Sequence, residues 1–199
     1  MSHLPIRPTA SRLITTAGAI VAACAIAPVA CAAASSSAAP TTPAARTAPA
    51  TNVCAGASDL RLRIPDGKGT RTDGITYYTL DFTNTTGSTC SLSGYPYVSV
   101  ISRGGHQLGS PAGHGLMTIA PLIRLAPGAT AHTTLAYQSG KVSAAVRDCG
   151  PVEQAYQLRV YVAGQKLALY AGWGFHACSR IGQVFLSVTQ PFRAGAGPS

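Results

Sequence analysis

From residue 53 onward, apolar and polar positions alternate with a period of two over much of the chain, the pattern of strands with one face buried. In residues 74–82 (GITYYTLDF), Tyr78, Leu80 and Phe82 share one face while Thr79 and Asp81 point away. Residues 96–102 (PYVSVIS) behave alike and end near Gly104-Gly105, a hairpin-type turn signal. Residues 131–137, 156–163, 166–170 and 184–189 follow the same rule, with β-branched and aromatic side chains enriched. Asp66-Gly67, Asp73-Gly74 and Pro127-Gly128 punctuate these runs as turn dipeptides. No window carries a three-turn amphipathic helix. The pattern predicts one all-β domain over residues 53–193, a β-sandwich of immunoglobulin-like outline, with 194–199 as a flexible tail.

The N-terminal part reads differently. Residues 1–12 carry Arg7 and Arg12 and no acid, and an apolar run from residue 13 to about 27 is followed by Pro28 and small residues. A basic start, a short apolar middle and a small-residue end predict a secretory signal over 1–32. Ala30-Cys31-Ala32 is an A-x-A site for ordinary cleavage, whereas Val21-Ala22-Ala23-Cys24 resembles a bacterial lipobox, whose cysteine is lipidated. Pro28-Val29-Ala30-Cys31 is a poorer lipobox, because its first position is normally aliphatic. Lipidation at Cys24 leaves Cys31 as an odd thiol; cleavage after Ala32 or lipidation at Cys31 leaves an even set of four. Either route predicts a secreted or cell-envelope protein; the lipobox route alone attaches it to the membrane, through an N-terminal lipid. Residues 33–52 hold little beyond Ala, Ser, Thr and Pro, which predicts a disordered linker whose hydroxyls are open to glycosylation.

Cys54, Cys90, Cys149 and Cys178 are spread through the domain. Export favours disulfides over a metal: there is no C-x-x-C, and His176 beside Cys178 is the single His-x-Cys pair. Four cysteines allow three pairings. The nearest-neighbour scheme joins Cys54 to Cys90 and Cys149 to Cys178, and each loop of roughly thirty residues is worth about 3.5–4 kcal/mol in the chain-entropy model.

Chemistry is sparse. The sequence has 15 Lys and Arg against 6 acids, and loss of Arg7 and Arg12 with the leader leaves 13 against 6, a net +7. The basic residues are isolated, with no run resembling a nucleic-acid arm. Their charge favours anionic envelope polymers or headgroups. Asp66 and Asp73 precede glycines and read as turn formers, and no carboxylate pair is nominated for hydrolysis. His106, His114, His132 and His176 are scattered, without H-E-x-x-H or G-x-S-x-G. His114, between Gly113 and Gly115 in an expected exposed loop, is the best lone titrating candidate. No metal, cofactor or nucleotide is implied. Asn84-Thr85-Thr86 fits a glycosylation sequon, of little meaning beside a bacterial leader.

Cys54, then Asn84-Thr85-Thr86-Gly87, then Cys90-Ser91-Leu92-Ser93-Gly94-Tyr95-Pro96 resembles the family called domain of unknown function 4232, found in exported and lipid-anchored actinobacterial proteins. Leu125-Ala126-Pro127-Gly128-Ala129-Thr130-Ala131 is similar to its second hallmark, and Cys149 and Cys178 to its later cysteine pair. The resemblance implies an immunoglobulin-like sandwich with two disulfides and carries over no catalytic residue. The hallmarks themselves read as turns that set the fold.

Two aromatic groups are the candidate binding residues. Trp173, the sole tryptophan, lies in Gly172-Trp173-Gly174-Phe175 and reads either as a sandwich core residue or as a stacking anchor on a loop. Tyr95 and Tyr97 flank Pro96 and extend an exposed patch. The expectation is a non-enzymatic module that binds a protein, glycan or lipid of the envelope, and no nucleic acid. An envelope-polymer hydrolase or a purely structural part stand as alternatives.

Overall fold

A computed structural model of the chain describes residues 52–115, 119–143 and 145–198. The leader, Cys24, Cys31 and the linker through residue 51 lie outside the described residues. The first strands are β1 (Asn52–Val53), β2 (Leu60–Arg63), β3 (Thr70–Thr72), β4 (Ile75–Asn84), β5 (Cys90–Leu92), β6 (Tyr97–Ile101), β7 (Gln107–Leu108) and β8 (Gly113–His114). There follow β9 (Ile123–Leu125), β10 (Thr130–Gln138), β11 (Val152–Gln154), β12 (Gln157–Tyr161), β13 (Leu169–Gly172), β14 (His176–Cys178), β15 (Leu186–Val188) and β16 (Arg193–Ala194). The helical content among the described residues is two single 3₁₀ turns, so the all-β reading holds.

Turn chemistry sets the hairpins. Asp73 and Gly74 both take positive φ, 50° and 78°, and form the two-residue loop joining β3 to β4, where Thr72 pairs with Ile75. Such left-handed pairs match the natural twist of the flanking strands. At Pro127-Gly128, Gly128 has φ 75° and the Ala129 N–H donates to the Ala126 carbonyl at 2.9 Å, closing the turn between β9 and β10.

Two larger sheets share one core. The first runs β2-β4-β10-β15-β8, with β3 on β4 and β16 on β10; the second runs β13-β12-β6-β7. In β4 the buried positions are Tyr78, Leu80, Phe82 and Asn84, continuing the alternation. The register sets Leu80 opposite Thr133 and Phe82 opposite Ala131, so β10 buries the same face. Val98 and Val100 of β6 and Leu158 and Val160 of β12 join the same hydrophobic cluster from the second sheet. A smaller sheet, β1-β5-β9, carries Cys90, Leu92, Ile123 and Leu125 into it, and β11 pairs with β14. Cys54 bonds Cys90 and Cys149 bonds Cys178, with all four cysteines buried.

Three local expectations change. The run 166–170 becomes strand only at Leu169, because Leu169 and Ala171 face inward opposite Val160 and Leu158 while Leu167 is exposed. His114 does not sit in a loop: Gly113–His114 pairs in parallel with Ser187–Val188. Residues 194–198, expected to hang free, lie along the first sheet. Ala194 pairs with Ala131, the Gly197 N–H donates to Asp81 Oδ1 at 3.0 Å, and Thr79 Oγ1 donates to the Pro198 carbonyl at 2.7 Å.

Candidate functional site

Tyr95, Tyr97 and His114 come together on the surface. Tyr95 leaves the turn at Gly94, whose φ is 80° and whose carbonyl accepts from the Phe192 N–H. Pro96 is buried, and Tyr97 opens β6 with its side chain 56% exposed. The segment carrying His114 is pinned on both sides: Ala112 N–H donates to the Val98 carbonyl and Gly115 N–H to the Val188 carbonyl, each at 2.8 Å. These backbone bonds bring the imidazole over Tyr95, with centroids 5.2 Å apart and planes 24° from parallel, and 5.5 Å from the Tyr97 ring. The result is an aromatic ledge with polar tips, built on β6, β8 and the turn between β5 and β6.

Trp173 lies elsewhere. It is 2% exposed, which excludes it as a stacking platform open to solvent. Its backbone N–H donates to the Tyr156 carbonyl, at the β12 end opposite the one where Tyr161 pairs with Tyr97. The indole packs with Tyr78 at 4.8 Å, Phe175 at 4.7 Å and Tyr137 at 5.7 Å between centroids. Tyr137 Oη–H donates to the His176 carbonyl at 2.9 Å, holding this group against β14. Burial pushes the Tyr78 phenol above its ordinary pKa, with the nearby Tyr137 adding to the shift and a hydrogen bond with Thr76 opposing it. Burial raises Tyr137 as well. A cavity of about 370 Å³ opens on this cluster between β2 and β13.

The remaining titratable groups are dispersed or already engaged. His132 stands opposite Asp81 in the β4–β10 register. Asp81 Oδ1 accepts from Gly197, however, and His132 Nδ1 bonds the Gly195 carbonyl at 2.9 Å. Among the described residues no three His, Cys, Asp or Glu side chains gather as a metal site, and no helix is long and apolar enough to cross a membrane. Asn84 is fully buried, and its Nδ2 donates to the carbonyls of Ser88 and Leu125 at 2.8 and 2.9 Å. In the folded domain that nitrogen is closed to a glycosylating enzyme.

A domain of unknown function, DUF4232, matches residues 54–178. The chain belongs to that family. No curated protein and no solved structure matches the chain. The DUF4232 match opens at Cys54 and closes at Cys178, and so spans both disulfides. Tyr95, Tyr97, His114 and Trp173 all fall inside it. Strand β15, which pairs with both β10 and β8, lies beyond it, so the partner strand of His114 comes from outside the DUF4232 segment.

Proposed function

We propose that this DUF4232 protein is an exported, non-enzymatic module of the cell envelope, an immunoglobulin-like β-sandwich that binds a protein, glycan or lipid partner through the ledge of Tyr97 and His114. The observation that carries the reading is that ledge: an exposed tyrosine and an exposed histidine held in ring contact by strand pairing. Tyrosine supplies a large contact area with few rotatable bonds, which is why it is enriched in binding surfaces. Two buried disulfides point to an extracytoplasmic location, and the basic balance of the chain, +9 overall, suits an anionic partner.

The test is co-sedimentation of the purified protein with cell-wall polymer, with membrane vesicles and with envelope proteins on beads, comparing wild type with Tyr97→Ser/His114→Ser. Binding to one fraction that falls at least tenfold in the double variant supports the reading. Equal binding by both proteins removes the ledge from it. Release of soluble fragments from the polymer by the wild type would replace it with the hydrolase reading.

A further inference from the structure

In the second sheet, β13-β12-β6-β7, alternation turns Leu158 and Val160, Val98 and Val100, and Leu169 into the core. The positions between them, Arg159, Tyr161, Tyr97, Ser99 and Tyr170, therefore point to the outer face. The register places Arg159 between Ser99 and Tyr170, and Tyr161 beside Tyr97. Tyr97 and Tyr170 are 56% and 52% exposed. They lie two strands and two residues apart, roughly 12 Å by strand geometry, so one extended chain reaches both. Ile101, the aliphatic side chain on this face, is buried.

Arg159 is the sole charged residue of these four strands, so no carboxylate within them neutralises it. Its Nη2 donates to Gln107 Oε1 at 2.9 Å, and its guanidinium carbon stands 5.8 Å from the Tyr161 ring centroid. Nε is buried, whereas Nη1 makes no bond to the described residues and is not buried. Gln107 and Tyr161 thus hold a guanidinium whose Nη1–Nη2 edge lacks the planar anion that such a fork matches. We infer that this face binds an acidic glycan, a chain of sugar rings bearing carboxylates. A carboxylate meets the Nη edge of Arg159, and the C–H faces of sugar rings lie on Tyr97 and Tyr170. Aromatic rings and hydrogen-bonding side chains without exposed aliphatic groups suit a polyol better than a lipid or the apolar centre of a protein interface. With no second cation in these strands, a singly charged carboxylate fits better than a phosphate. The inference rests on the reading of the domain as a binding module and extends its contact from the ledge, at Tyr97, across the sheet.

The test is isothermal titration calorimetry of the purified full chain with three polymers. Polygalacturonate carries rings and carboxylates, its methyl ester the rings without the charge, and polyglutamate the charge without the rings. Polygalacturonate is expected to bind about tenfold more tightly than either control. Tyr170→Ser and Arg159→Gln, both outside the ledge, are each expected to weaken it about five- to tenfold. Tyr170 is exposed on an end strand, so its variant keeps the test intact should Arg159→Gln fold poorly. Equal affinity for polyglutamate reduces the contact to the net charge of the chain and overturns the inference. Equal affinity for the methyl ester removes Arg159 from it and does the same. Full affinity in a folded Tyr170→Ser, beside a loss in Tyr97→Ser/His114→Ser, keeps the ledge and overturns the face. Absence of binding to polygalacturonate overturns the face as well, and leaves the ledge to its own co-sedimentation test.

Discussion

The side-chain amide of Asn84 donates to the Leu125 carbonyl at 2.9 Å across 41 residues of sequence. The same nitrogen reaches the Ser88 carbonyl, and Oδ1 accepts from both the backbone N–H and the hydroxyl of Thr86. Because the Thr86 N–H is only a donor, it fixes which end of the amide is oxygen. The Asn84 backbone completes the knot, accepting from Gly128 N–H and donating to the Ala129 carbonyl, each at 2.9 Å. One buried residue thus joins the Asn-Thr-Thr-Gly segment to the Pro-Gly turn, two of the stretches on which the sequence resemblance rests.

Asn84→Ala is accordingly expected to destabilise the domain by about 1–3 kcal/mol, since it removes the buried side-chain donor to the Leu125 carbonyl, while the exposed Ser88 carbonyl keeps the Thr86 hydroxyl. Asn84→Asp should be worse at neutral pH, because it turns a carboxylate oxygen toward those same carbonyls. Chemical denaturation of the three proteins decides the point. A loss below about 0.5 kcal/mol for the alanine variant would mean that the loop re-pairs its backbone, as surface sites do.

That knot also marks how far the sequence could be read. The Asp-Gly and Pro-Gly turns, the Tyr78-Leu80-Phe82 face and the approximate strands were legible, because turn conformation and side-chain alternation are local properties. The role of Asn84 was not, since its partners at Leu125, Gly128 and Ala129 lie beyond any local window and its motif also spells a sequon. The ledge was half legible: Tyr95 and Tyr97 stood out by composition, but His114 joins them only through a parallel pairing with β15. The Trp173 cavity left no local signal, because its wall comes from β2, β4 and β13 together. Trp173 itself reads equally as core or contact until the strands are placed.

Alkaline pH should unfold the domain through its buried phenols. Tyr78 and Tyr137 have folded-state pKa values raised above the ordinary value of 10.0, so the folded form favours the neutral phenol. Their contribution is complete below the unfolded-state pKa and is lost as pH rises past about 10 through the folded values. Thermal melts are expected to fall steeply above that pH, with Tyr137→Phe shallower than wild type. A melting temperature flat to pH 11 would contradict the assignment.

The C-terminal strap depends on Gly197. A Cβ there would stand 2.3 Å from Thr79 Cγ2 and 3.1 Å from the His132 ring. Gly197→Ala should therefore lift residues 195–198 from the sheet and break the bonds to Asp81 and Thr79. Global stability should drop by about 1 kcal/mol or less, because a terminal segment opens locally. Hydrogen exchange at the Gly197 amide and proteolysis of the tail are the readouts. Tail protection equal to wild type would show that the sheet shifts instead.

The two disulfides test whether loop entropy or native packing sets their worth. They span 36 and 29 residues, so the chain-entropy model assigns each about 3.5–4 kcal/mol, with a difference of only about 0.2 kcal/mol between them. Their backbone settings are alike too. Cys54 N–H donates to the Ser91 carbonyl and Arg180 N–H to the Cys149 carbonyl, so each bridge sits beside a main-chain bond between the segments it joins. Paired serine variants at 54/90 and at 149/178 are therefore expected to lose similar stability, each within about 1 kcal/mol of the other. Because Cys54, Cys149 and Cys178 are fully buried and Cys90 is 4% exposed, thiolate attack requires opening of the domain. Reduction by dithiothreitol should then be slow in native buffer and accelerate with denaturant in step with unfolding. A bridge that reduces rapidly without denaturant would place its segment among the locally unfolding parts of the domain, and a gap well above 1 kcal/mol would assign the larger loss to native packing.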